Sequence, residues 1–185
     1  MEKIVDMYVA LKRKKDGNES EGCIRLIDYD GNGNITKLMD QIKSKPGTWR
    51  LYRSVNQRDM SKAHRELVHY MIDHPDDYRI DSKFKSLLMK KPCRAQKNFL
   101  IDIDSSDDGV TYQVVGYLHA KSVKILEGPV ETPNGYHIIT EPFDVRYIND
   151  FTTFISSNPY SIELKHDDLV YLDMFVIEDE SNGNS

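Results

Sequence analysis

Cysteine is scarce in this chain. Among its 185 residues only Cys23 and Cys93 are cysteines, and they form no Cys-x-x-Cys pair. Disulfide scaffolds and zinc ribbons need several cysteines at short, regular spacings. The sequence therefore gives no support to either class, and we expect both residues to be reduced thiols.

Long apolar runs are also absent. No stretch approaches the roughly 20 consecutive apolar residues that a transmembrane helix needs, and no signal-peptide pattern is present. The hydrophobic fraction is 39% and the charged fraction is 30%, a balance typical of a folded domain in water. We expect a protein that makes no membrane contact and has a cytoplasmic location.

A basic excess is missing as well. The formal net charge is −5, which argues against a wholly basic nucleic-acid coat but permits a local basic groove. Part of the acidic charge lies at the end of the chain, in EDESNGNS. The sequence predicts that this segment, residues 178–185, is a disordered acidic tail.

Several familiar catalytic motifs do not occur. The chain has no G-x-x-x-x-G-K-[ST] phosphate loop, no G-x-S-x-G and no His-Glu-x-x-His. DYDGNGNITKLM, residues 28–39, begins like a calcium-binding EF-hand loop, but Met39 occupies the position of the essential glutamate. A Gly/Asn-rich hairpin turn explains the same residues better.

The alternation of patterns along the chain indicates an α+β fold. Period-two apolar stretches such as TWRLYRSV predict strands, and helical spacing begins at Asp59, near Asp81 and within residues 141–158. Residues 110–121 fit either a helix capped by Asp107 or Asp108, or a strand. We predict a mixed, largely antiparallel sheet with helices packed on it, in a single domain over residues 1–177 with an N-terminal part, 1–96, and a second part, 97–177.

One predicted strand, FLIDID, carries two carboxylates. Alternation places Phe99, Ile101 and Ile103 on one face, and Asp102 and Asp104 with Leu100 on the other. Burying an unpaired carboxylate costs several kcal/mol or forces its protonation. The pair therefore needs solvent, a basic partner or a metal ion. An edge strand with one wet face, or aspartates that end a strand at a turn, since SSDDG follows directly, would explain it without a metal.

Two later stretches add further candidates. In LVYLDMFVI, Asp173 is a lone carboxylate deep in an apolar strand, where a hydrogen bond to the backbone or to an arginine would also satisfy it. In ETPNGYHIIT, His137 follows a Pro-Asn-Gly turn whose amides, together with the imidazole, suit a phosphate. A histidine beside a turn is more often an ordinary surface residue.

The order of these stretches resembles the archaeo-eukaryotic primase superfamily, in particular its small viral or mobile-element primase-polymerases. The stretches that carry the resemblance are FLIDID, NGYHIIT and VYLDM, within residues 97–177. The resemblance implies a primase-like, RRM-like catalytic core. It also implies that a viral source would place the protein in the interior of the host cell.

The resemblance assigns roles to the candidate residues. It implies that Asp102, Asp104 and Asp173 bind Mg²⁺ or Mn²⁺, with Asp167 and Asp168 as alternatives for the third carboxylate, and that His137 contacts the phosphates of the incoming nucleotide. The implied activity is two-metal nucleotidyl transfer from an NTP or dNTP to DNA or RNA. The implied partners are therefore nucleoside triphosphates and a nucleic acid, with a replication helicase or other replication proteins as further candidates.

Two residues in the first part of the chain are candidates for binding the nucleotide. Arg53 and Asn56 lie in YRSVNQRD, immediately before a predicted helix, where they suit a nucleotide or a template backbone. A capped helix start with solvated arginines explains the same residues equally well.

Two other functions fit the same sequence. The carboxylates also suit a two-metal nuclease or phosphodiesterase. A primase-like fold without catalysis would instead make the chain a module that binds nucleic acid or protein.

Overall fold

The strands of the chain form two separate sheets, each within its own compact unit. The structure is a computed structural model and describes residues 3–33, 35–146 and 161–178. The first unit takes in the described residues up to Gln96 and those from Tyr171 onward, and the second unit runs from Lys97 to Val170. The prediction of a single domain stays a prediction.

The first unit contains a five-stranded sheet and three α-helices. Its strands run in the order β2-β1-β3-β9, with β4 paired to β1 beside this path. The strands are β1 (Ile4–Lys12), β2 (Gly22–Asp28), β3 (Gly47–Ser54), β4 (Arg58–Asp59) and β9 (Leu169–Ile177). The helices are α1 (Thr36–Lys43), α2 (Met60–Asp73) and α3 (Ile80–Leu88), with 3₁₀ turns at Lys14–Asp16 and Lys91–Cys93.

Both faces of this first sheet are covered, because β1 alternates its apolar side chains between two cores. Tyr8 and Ala10 pack in one cluster with Leu38 and Ile42 of α1. Met7 and its neighbours pack in the other cluster, with side chains of α2 and α3. A strand that is apolar on both faces needs such a double layer, since neither face can be left in water.

The second unit is a four-stranded antiparallel sheet with one helix. The strand order is β6-β7-β5-β8. Its elements are β5 (Phe99–Asp104), α4 (Asp108–Ala120), β6 (Ile125–Thr132), β7 (Gly135–Thr140) and β8 (Ser161–Lys165). Helix α4 packs on the face formed by Ile101, Ile103 and Ile138, and this contact holds β5 and β7 in position.

Aspartates begin two of the helices. The Asp59 carboxylate accepts hydrogen bonds from the backbone N–H groups of Ser61 and Lys62, and Asp107 accepts one from Gly109. Such caps satisfy N–H groups that have no partner within the helix. The helix predicted from Asp59 is thus confirmed, and residues 109–120 form a helix rather than the alternative strand.

The Gly/Asn-rich segment after β2 differs from its prediction. Asp28 is buried and accepts hydrogen bonds from the N–H groups of Asp30, Gly31 and Gly33, and helix α1 follows. The predicted hairpin turn is wrong because the next element is a helix and not a strand. The Asp28 carboxylate organises the loop through its own backbone.

The α+β class, with largely antiparallel sheets and helices packed on them, is confirmed. All pairings whose register is described are antiparallel. Most of the helix predicted within residues 141–158, and the tail beyond Glu178, lie outside the described residues. Within the described part of the chain no helix is long and apolar enough to cross a membrane.

Replacing either of two glycines of the second unit by alanine should change the free energy of unfolding, in opposite directions. A Cβ at Gly135 would clash with the carbonyl oxygen of Ile103 and lie 2.7 Å from the Ser105 nitrogen, whereas Gly116 in α4 has nothing within 4 Å. We expect Gly135→Ala to lower the free energy of unfolding by about 3 kcal/mol, because backbone must move. Gly116→Ala should raise it by roughly 0.5–1 kcal/mol through helix propensity.

Urea unfolding of both variants measures these changes. Equal stability of Gly135→Ala and the wild-type protein would show that β7 does not approach β5 as closely as described.

Candidate functional site

The candidate site lies on the face of the second sheet that α4 does not cover. Alternation along β5 puts Asp102 and Asp104 on this face, because Ile101 and Ile103 point toward α4. In the strand register, Asp102 lies opposite His137 of β7 on one side and opposite Glu163 of β8 on the other. Three neighbouring strands therefore contribute polar side chains at one level of the sheet.

Asp102 is the central residue of this face. Its Oδ2 accepts a hydrogen bond from the Lys165 ammonium at 2.6 Å, and its Oδ1 lies 3.3 Å from Nε2 of His137. The side chain of Asp102 is only 17% exposed, and that of His137 is 9% exposed. A carboxylate this sheltered from water needs such partners to stay ionised.

The partners of Asp102 set its protonation. The hydrogen bond from His137 lowers the pKa of Asp102, burial opposes this effect, and the hydrogen bond and charge of Lys165 lower it further. The resulting pKa is about 2, below the ordinary 3.8. Asp102 is therefore a carboxylate anion over the whole physiological pH range.

Lys165 is surrounded by carboxylates. Its Nζ lies 2.6 Å from Asp102, 3.3 Å from Asp168 and 3.7 Å from Glu163. Burial lowers the pKa of Lys165, but the hydrogen bond to Asp102 and the charges of Asp102 and Asp168 outweigh it and raise that pKa above its ordinary value. Lys165 therefore carries a permanent positive charge within an acidic group.

Asp104 is placed differently from Asp102. It is exposed at the end of β5, two residues along the same face, and it pairs in register with residue 161 of β8. The described residues show no ion pair for its side chain, which stays in contact with solvent. The structure thus brings Asp102, Asp104 and His137 onto one face, and for the two aspartates this shared face is the one that the sequence predicts.

Glu163 and Lys165 are members of the site that the sequence reasoning missed. The stretch SIELK alternates apolar and charged residues, and Ile162 and Leu164 pack toward the α4 core while Glu163 and Lys165 share the face of Asp102. That period-two pattern was the available signal. Its pairing with β5, however, joins residues about sixty positions apart and is not a local property of the sequence.

The other three candidates belong to the first unit. Asp173 is exposed on β9, and its Oδ1 accepts a hydrogen bond from the backbone N–H of Met174 at 2.7 Å. The description of Asp173 as deep in an apolar strand is therefore wrong, since Leu172 and Met174 beside it are exposed as well. Of the two partners that would satisfy Asp173, the backbone hydrogen bond is present.

Arg53 and Asn56 lie at the end of β3 and just after it. Arg53 is partly buried, and Asn56 is fully buried. Both side chains have interactions within the protein. A direct contact between Asn56 and a nucleotide would require this buried side chain to become accessible first.

The oxygen donors on the second sheet suit Mg²⁺ or Mn²⁺ in kind. Asp102, Asp104 and Glu163 supply carboxylates on one face, and these hard cations prefer such ligands. Within the described residues, however, no three His, Cys, Asp or Glu side chains converge on one point that could hold a metal. A metal at Oδ2 of Asp102 would compete with the ammonium of Lys165 for that oxygen.

Comparisons with known proteins add no assignment. No family model matches the chain, and neither a curated protein nor a solved structure is significantly similar to it. The functional argument therefore depends on the residues of the site.

The low pKa of Asp102 predicts how stability depends on pH. A carboxyl whose folded pKa is lowered stabilises the protein fully above its unfolded pKa, here 3.8, and loses that contribution as the pH falls toward about 2. We expect the difference in unfolding free energy between wild type and Asp102→Asn to shrink as the pH falls through this range. Urea unfolding at a series of pH values measures it.

Asp104→Asn is the matched control, because Asp104 lies on the same strand but is exposed. Its pH profile should follow that of the wild-type protein. Parallel profiles for Asp102→Asn and wild type would contradict the described contacts of Asp102.

Proposed function

We propose that the chain is a metal-dependent nucleotidyltransferase of primase-polymerase type that adds nucleotides from an NTP or dNTP to DNA or RNA. The observation that carries the proposal is the cross-strand arrangement of Asp102 between His137 and Glu163, with Asp104 on the same face. An Asp-x-Asp strand with a histidine in register agrees with the first two stretches of the primase resemblance, FLIDID and NGYHIIT. Glu163, which that resemblance does not include, supplies the acidic residue on the other side of Asp102.

Each residue of this face has a part in the proposed chemistry. Asp102 and Asp104, with Glu163, would hold Mg²⁺ or Mn²⁺, which activates a 3′-hydroxyl and neutralises the triphosphate. His137 would contact a phosphate oxygen by exchanging the Asp102 carboxylate at its Nε2 for the ligand. Glu163 now stands beside Asp173 as a candidate for the third carboxylate, because the register pairs it directly with Asp102.

Lys165 has a distinct part in this proposal. Without metal, its ammonium keeps the half-buried Asp102 ionised, so the ligand needs no deprotonation before a divalent cation binds. When a cation takes over Asp102, Asp168 still provides Lys165 with a negative neighbour. Lys165 thus has a carboxylate partner in both forms of the site.

The same lysine supports one alternative function. A permanent ion pair between Lys165 and Asp102 would withhold the central carboxylate from a metal, and the fold would then act as a binding module for nucleic acid without catalysis. A nuclease or phosphodiesterase uses the same carboxylates and differs only in its product. Both alternatives are outcomes of the experiment below.

The test is a primer-extension assay with labelled DNA and RNA, in the presence of NTPs or dNTPs and Mg²⁺ or Mn²⁺. We expect metal-dependent lengthening by the wild-type protein and a loss of about a hundredfold or more in Asp102→Asn combined with Asp104→Asn. Glu163→Gln should lower the rate strongly as well, because it removes a proposed metal ligand. Shortening of the strand without NTPs would indicate a nuclease.

Glu131→Gln is the matched control for these variants. Glu131 is an exposed carboxylate on β6, and its register with Tyr136 puts it on the opposite face from Asp102. This variant should keep the wild-type rate. Unchanged lengthening in the double variant, or no metal-dependent reaction in the wild-type protein, would contradict the proposed function.

A further inference from the structure

A small basic pocket lies in the first unit, between strand β2 and helices α2 and α3. Its volume is about 280 Å³, below the roughly 300–1,000 Å³ of pockets for whole small molecules. Its lining includes three cationic side chains and one carboxylate, an excess of two positive charges. The cations are Arg25, Arg79 and Lys83, and the carboxylate is Asp77.

Arg25 is the least satisfied of these cations. Its Nε is buried, and among the described residues it has no hydrogen-bond partner. Arg25 and Ile27 are two residues apart on β2 and therefore lie on the same face of the strand. Ile27 packs in the core shared with α2 and α3. A buried guanidinium N–H without an acceptor is costly, so a ligand with acceptor oxygens would stabilise it.

Lys83 adds a second positive charge that no described carboxylate balances. Its Nζ lies 3.6 Å from the centre of the Tyr70 ring, a cation–π contact that leaves its N–H groups able to donate. Ser86, one turn further along α3, contributes an exposed hydroxyl to the same lining.

The carboxylate of the pocket is already engaged. Asp77 accepts hydrogen bonds from Arg79 and from the Tyr70 hydroxyl, at 3.0 and 2.7 Å. It therefore neutralises Arg79 rather than Arg25 or Lys83. The adjoining pocket around His74 is acidic, with Asp73 and Asp76 in its lining, so the positive charge is confined to the side of β2 and α3.

We propose that this pocket binds the phosphate group of a phosphate monoester. A monoester carries close to two negative charges at neutral pH, which matches the uncompensated charge of the lining. Arg25, Lys83 and Ser86 provide guanidinium, ammonium and hydroxyl donors, the groups that recognise phosphate oxygens. A phosphodiester carries a single charge and would leave one cation unbalanced.

The rest of a larger monoester also has space. A second pocket of about 460 Å³ shares Arg25 and Ser82 with the first. The phosphate could thus come from inorganic phosphate or from a nucleoside monophosphate, and the experiment separates these two sources.

Calorimetric titration tests the proposal with inorganic phosphate, a nucleoside 5′-monophosphate and an oligonucleotide without terminal phosphates, all without divalent metal. We expect saturable binding of inorganic phosphate and of the nucleoside monophosphate, weakened about tenfold by Arg25→Gln and by Lys83→Met. Tighter binding of the nucleoside monophosphate would identify a nucleotide as the source, and equal binding would identify the phosphate alone.

Arg65→Gln is the matched control, because Arg65 is an exposed cation on α2 outside the pocket lining. It should bind phosphate as the wild-type protein does, and a cooperative unfolding transition of each variant should show that it is folded. Ser86→Ala, at an exposed position, should weaken binding a few-fold without affecting folding.

Three outcomes would overturn the proposal: no saturable phosphate binding, equal losses in Arg65→Gln and Arg25→Gln, or preferential binding of the oligonucleotide. None of these outcomes depends on nucleotidyl transfer. The phosphate-binding pocket and the proposed nucleotidyl transfer are therefore tested independently of each other.

Discussion

The second unit depends on the placement of one carboxylate in the middle of a sheet. Asp102 is sheltered from water, and isolated in that position its charge would cost several kcal/mol. His137 of β7 and Lys165 of β8 offset this cost, and the observed register of each strand with β5 places both side chains on the face of Asp102. A slip of β7 by one residue would move His137 to the other face, and a slip of β8 would do the same to Lys165.

The opposite face of β5 makes that register possible. Ile101 and Ile103 pack against Val114 and Leu118 of α4, which begins directly after the strand with its cap at Asp107. The apolar core and the polar site thus share one strand. The core fixes the position of the strand, and the site uses the side chains that the core leaves on the other face.

Local sequence patterns predicted much of this arrangement. The alternation in FLIDID assigned Asp102 and Asp104 to one face, and the Pro-Asn-Gly turn placed His137 at the start of the next strand. The sequence does not predict Glu163 and Lys165 as site residues, because their position beside Asp102 arises from the long-range pairing of β8 with β5. Asp173 was misjudged for a related reason, since the apolar residues of a strand do not reveal which of its faces is covered.

The proposed function requires that Asp102 can exchange one cation for another. Asp102 is an anion with a pKa of about 2, and Lys165 is the cation that occupies it in the described structure. In the proposed function this ion pair is the metal-free form of the site, in which Lys165 lies near three carboxylates.

A crystal structure with Mn²⁺ and a nucleoside triphosphate tests this account most directly. The account predicts anomalous density for Mn²⁺ at Asp102 and Asp104, triphosphate oxygens beside His137, and a Lys165 ammonium that has left Oδ2 of Asp102. Density without Mn²⁺ at these aspartates, with Lys165 still bound to Asp102 at saturating metal and nucleotide, would contradict it.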